Sequence, residues 1–118
     1  MPARAVITRA LAALLGVPAH LHRVRIVEEL RDGPTDVSSL QAVLGISHSG
    51  VSQHLALMRA NRVVTEQREG RRVFYRLRMP GLARWLAEGL AFLGETQEDA
   101  AVRGAIEEVR EIWGKEVE

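Results

Sequence analysis

Cysteine is absent from the 118 residues. Disulfides, thiolate metal sites, cysteine nucleophiles and thiol redox sensing are thereby excluded, and the chain is compatible with a reducing cytoplasm. Aromatic side chains are scarce: Phe74, Tyr75, Trp85, Phe92 and Trp113 are all there are. A core must therefore be built mainly from Leu, Val, Ile and Ala. No apolar run is long enough to span a bilayer. The segment AVITRALAALLGV near the N-terminus is short, is broken by Arg9, and lacks a signal-peptide cleavage pattern. A cytoplasmic protein with no membrane partner is expected. There is also no nucleophile–base pairing, carboxylate dyad or phosphate loop, and the four histidines are scattered, so no enzyme is expected. The length is that of a single domain spanning residues 1–118.

The net charge of +1 hides a polarised distribution. Residues 59–78 hold seven arginines (59, 62, 68, 71, 72, 76 and 78) against Glu66 and Glu69, a balance of +5. Residues 95–118 hold eight acids against Arg103, Arg110 and Lys115, a balance of −5. The basic stretch suits a polyanion, which the acidic tail should avoid.

Hydrophobic periodicity divides the chain. A helix is expected over about 4–15, with Ala5, Ile7, Leu11, Leu14 and Leu15 apolar, before Gly16 and Pro18 interrupt it. A second, about 20–31, groups Val24, Val27 and Leu30 with Ile26 beside them, and Gly33-Pro34 stops it. Ser38 with Gln41 three residues on fits a capping box for a short helix through Leu44. Gly45 ends that helix, and Ser47 is placed to cap the next, 48–60. Only GIS separates the two, so the segment about 38–60 has helix-turn-helix spacing. Beyond Arg59 the period becomes two. VVTEQR and RRVFYRL predict a β-hairpin over about 63–77 with Glu69-Gly70 as its turn and an arginine-rich tip. Helices about 80–94 and 97–113 close the chain. The first carries Leu82, Trp85, Leu86, Leu90 and Leu93 on one wide face.

A helix-turn-helix followed by a basic hairpin has the winged-helix order. AHLHRVRIVEELRDGP and LQAVLGISHSGVSQHLALMRANRVVTEQREGRRVFYRL resemble the ArsR/SmtB family of bacterial winged-helix repressors, from about Ala19 to Leu77. The resemblance implies a mainly α fold with a β-hairpin wing, in which the helices at about 4–15 and 80–94 dimerise. It also implies a homodimer that represses transcription at a pseudo-palindromic operator. The family's paired cysteines at the start of the helix-turn-helix align with Asp36 and Ser38. The family's second metal site falls around Met79, Gly81, Phe92 and Glu95, where this chain offers one carboxylate and no histidine. A transition metal needs several convergent donors, so no metal and no cofactor is expected at either place, and the effector is unspecified. His20 and His22, two apart on a helix, would point about 200° from each other and could not grip one ion together. A ligand shared across a dimer is the remaining route to a non-standard metal sensor.

The segment His48–Ala60 shows what its outer face is for. Val51, Leu55 and Met58 form one stripe, and the other side carries His48, Ser49, Ser52 and Gln53 with Ala56 and Ala60, without a single carboxylate. A helix entering a DNA major groove needs short or hydrogen-bonding side chains there. His48, Ser49, Ser52 and Gln53 are expected as base-edge or near-base contacts, a pairing of Gln53 with adenine being the most readable of these. Arg59 is expected on phosphate, and Arg68, Arg71 and Arg72 on the backbone or an adjacent minor groove. His54, beside the Leu55 stripe, is expected to pack or to meet a phosphate. Arg62, Arg76 and Arg78 are read as partners of Glu66, Glu69 or a neighbouring subunit. The rival reading, a winged helix that binds protein, predicts a neutral or acidic wing.

Overall fold

The computed structural model describes residues 2–114. Two compact units divide the chain, the first ending at Met79 and the second beginning at Pro80. The first holds helices α1 (Pro2–Gly16), α2 (Leu21–Leu30), α3 (Val37–Leu44) and α4 (His48–Ala60), with strands β1 (Thr35–Asp36), β2 (Val64–Glu69) and β3 (Arg72–Leu77). The second holds α5 (Gly81–Thr96) and α6 (Ala100–Gly114), which pack on each other with Leu90 and Ile106 buried. No single helix among the described residues is long and apolar enough to cross a membrane.

The first unit's core is aliphatic, as the shortage of aromatics requires. Ile26, Val27 and Leu30 of α2, Leu40 of α3, and Val51, Leu55 and Met58 of α4 are buried together with Val63, Val64 and Leu77. Each such side chain contributes roughly 1.5–3 kcal/mol on leaving water. α1 differs: none of its fifteen residues is buried, and Val6, Ile7, Leu11 and Leu15 stand exposed.

The junction between α3 and α4 follows from three residues. Gly45 takes a left-handed conformation (φ 67°) and returns its N–H to Gln41. Ile46 follows, and the Ser47 hydroxyl accepts from the Gly50 N–H at 3.0 Å, capping α4. α3 corrects an expectation. Its cap is Asp36, whose carboxylate accepts from the Ser39 N–H at 3.0 Å, and Ser38 lies inside the helix. Asp36 is held extended because Thr35 and Asp36 pair with Tyr75 and Phe74 as a third strand, which local pattern did not reveal.

The antiparallel sheet has the order β1-β3-β2. Glu69 pairs with Arg72, so the hairpin turn is Gly70-Arg71 and not Glu69-Gly70. Gly70 supplies the positive φ (63°) at the first central position, where a two-residue II′ hairpin takes its glycine.

Candidate nucleic-acid interface

The α4 helix is split lengthwise. Val51, Leu55 and Met58 are fully buried, while His48, Ser49 and Gln53 are exposed and Ser52 is half-buried. Ala56 and Ala60 continue the exposed flank. The Ser49 hydroxyl lies 3.2 Å from that of Ser47, which ties it to the capping turn. The helix thus presents amide, imidazole and hydroxyl groups outward on a backbone anchored by three dry side chains, a surface able to meet donors and acceptors on base edges.

The hairpin arginines fall into two groups. Arg68 and Arg71 are exposed, and no carboxylate pairs with them among the described residues. Arg72 is engaged: its guanidinium donates to Asp36 Oδ2 at 2.6 Å and lies 5.0 Å from the Phe74 ring centre. That bond, followed by the one from Ser39, holds the Asp36 carboxyl at about 2. Arg59 is engaged as well, donating to Glu66 Oε2, which also accepts from the Tyr75 hydroxyl at 3.1 Å. Burial first, then this bond to Glu66, raises the Tyr75 pKa. Glu66 is therefore bonded to Arg59, while Arg76 donates to Thr65 Oγ1.

Three histidines converge where α2 meets α4. The His20 and His54 ring centres are 4.7 Å apart, and His22 lies 5.6 Å from each. The helical-wheel expectation for His20 and His22 fails because His20 is the α2 cap, in extended conformation, its Nδ1 accepting from the His22 N–H. Arg23 donates from Nε to the Val17 carbonyl and brings Nη1 to 3.4 Å from His54 Nδ1. An arginine can only donate, so this contact requires an unprotonated His54 Nδ1. Burial, then His20, Arg23 and His22, lowers the His54 pKa.

At the first of the two family metal positions the carboxylate is already engaged. Both Asp36 oxygens are already bonded, one to Ser39 and one to Arg72. Among the described residues no group of three His, Cys, Asp or Glu side chains is arranged to hold a metal ion.

Sequence reasoning missed Asp36 and Glu66 as the acids that hold Arg72 and Arg59. Strand pairing brings Asp36 to Arg72, and the packing of α4 on β2 brings Glu66 to Arg59. It also missed the histidine cluster, because a cap residue does not obey helical spacing.

The sequence pattern of the family described as bacterial regulatory protein, arsR family, matches residues 22–66. The HTH-type transcriptional repressor SmtB of Mycobacterium tuberculosis is 40% identical over 73 residues, 62% of this chain. The match spans 54% of that repressor's length. The HTH-type transcriptional regulator CmtR of Mycobacterium bovis is 42% identical over 79 residues, 67% of each chain. Among solved structures, the transcriptional repressor BigR from Xylella fastidiosa superposes with a TM-score of 0.66 at 28% identity, over 78% of this chain and 96% of that one.

Proposed function

This chain belongs to the arsR family of bacterial regulatory proteins, and from that premise we propose that it is a homodimeric repressor reading a pseudo-palindromic operator. The family is one of transcriptional regulators, not enzymes. The observation that carries the proposal is the outer flank of α4: His48, Ser49, Ser52 and Gln53 on a helix whose opposite stripe is dry. Lying in a major groove, these side chains meet base edges, with Gln53 bidentate to an adenine. Arg68 and Arg71 at the hairpin tip grip phosphate beside the groove or enter the adjacent minor groove. Arg59 and Arg72 join them only by leaving Glu66 and Asp36. The exposed cationic tip speaks against a protein-binding wing, which would be neutral or acidic. Two-fold symmetry sets the recognition helices about 34 Å apart, or a multiple of it, along the duplex.

Operator fragments are first selected from genomic DNA by the purified protein. Gln53→Ala should then lose about 1–3 kcal/mol of discrimination at one base pair, while binding to unrelated DNA stays the same. A variant with unaltered sequence preference would remove Gln53 from the base-reading set.

A further inference from the structure

We propose that Arg59, Arg62 and Arg78 form a binding site for a small phosphoryl dianion at the root of the wing. The three arginines line one open groove of about 520 Å³ together with Val64, Thr65 and Glu66. Three guanidinium groups against one carboxylate leave the groove a formal charge of +2. Glu66 is bonded to Arg59 and Tyr75, and no carboxylate pairs with the side chain of Arg62 or Arg78 among the described residues.

The backbone supplies an independent observation. Arg62 has φ 61°, the only positive value outside glycine among the described residues. It sits at the turn that ends α4. The Arg62 N–H bonds to the Arg59 carbonyl at 3.0 Å and the Val63 N–H to the Met58 carbonyl at 2.9 Å. These two bonds define a Schellman ending, in which the residue at Arg62's place is usually glycine because a Cβ is disfavoured there. A glycine would close the same turn without strain. The chain instead keeps a long cation at a position that resists side chains, and strain retained in this way points to a task beyond folding.

DNA does not account for that task, a step that rests on the proposed operator reading. Val64 pairs with Leu77 at the root of the hairpin, and Glu69 pairs with Arg72 at its tip. Five residues at about 3.3 Å each separate the two ends by roughly 17 Å. Arg62 and Arg78 flank the root, so a duplex gripped by Arg68 and Arg71 at the tip does not by that contact engage them. A free anion fits the chemistry better. Guanidinium forks match phosphoryl oxygens in bidentate pairs, and a dianion neutralises the groove's charge. Arg59 lies in the last turn of α4, so the anion would share it with Glu66 and act on the contact that ties the recognition helix to β2.

Inorganic phosphate is the probe, titrated into the full chain at constant ionic strength and followed by amide and guanidinium NMR shifts. Saturable one-to-one binding is expected, with shifts centred on Arg59, Arg62, Thr65 and Arg78. Arg62→Gly should weaken it about tenfold, while Tm holds or rises because the left-handed turn is relieved. Linear shifts without saturation, unchanged affinity in Arg62→Gly, or an equal loss in the Arg68→Ala, Arg71→Ala double variant would each overturn the site. DNA binding in phosphate-free buffer identifies the source of the phosphoryl group. Arg62→Gly should stay within about twofold of the parent protein, with the same salt slope. A reduced slope would make the ligand the DNA backbone and overturn the free-anion reading. If the parent binds no DNA, the operator proposal fails while the phosphate titration still decides the site.

Discussion

His54 shows how much one side chain can carry at the join between α2 and α4. The groups that act on it are His20, His22 and Arg23, all from the start of α2 and all cationic or able to become so. Among the described residues no carboxylate offsets them. The fold therefore favours neutral His54, and its contact with Arg23 requires the free Nδ1 lone pair. The unfolded chain has no such preference and takes up a proton near the ordinary value of 6.5. Below that pH the unfolded state binds more protons, so stability falls with acidification until folded His54 protonates in turn. Thermal unfolding at about pH 7 and about pH 5 should show this loss in the parent protein. The loss should be smaller in His54→Gln, which keeps an acceptor for Arg23 but cannot titrate. Equal losses in the two proteins would place the pH sensitivity elsewhere. None of this was legible in the sequence. Helical spacing separates His20 from His22, and only the capping role of His20 brings their rings together.

Among the elements, the turn-and-helix pair was the most legible part. Its determinants are local: Gly45 for the left-handed turn, Ser47 for the cap, and a buried stripe at helical spacing. The wing was half legible. Alternation marked β2 and β3, but the two-residue strand β1 exists only through pairing with Tyr75 and Phe74. That pairing moves the α3 cap from Ser38 to Asp36. It also decides which arginines are free, since Asp36 takes Arg72 and leaves Arg68 and Arg71 exposed. Replacing Arg68 and Arg71 with alanine should therefore weaken binding to specific and unrelated DNA alike. The salt dependence should flatten by about two counterions' worth of slope. Arg72→Ala should change the slope less, because its cation is already partly neutralised. Fluorescence anisotropy across a salt series measures both. A full-size effect from Arg72 alone would mean that DNA pulls it away from Asp36.

For the molecule as a whole, the unanswered demand is the apolar surface of α1. An isolated helix of fifteen residues is marginal in water, and most helices in proteins persist because one face is covered. This one buries nothing, yet carries Val6, Ile7, Leu11 and Leu15 in the open. Separately, α5 leaves Trp85 and Phe92 exposed in the second unit. Amphipathic periodicity predicted both helices, but periodicity says nothing of what covers their apolar faces. A second copy is the partner proposed. Leu11→Glu places a charge in the middle of the α1 stripe, where burial against a partner would cost several kcal/mol. Sedimentation should show the parent as a dimer and the variant shifted to monomer. Operator affinity should fall steeply in the variant because the two half-sites are no longer held by one body. The buried stripe of α4 is untouched, so binding to a single half-site should survive at the weaker, one-site level. A variant that stays dimeric with full operator affinity would show that α1 is covered in some other way.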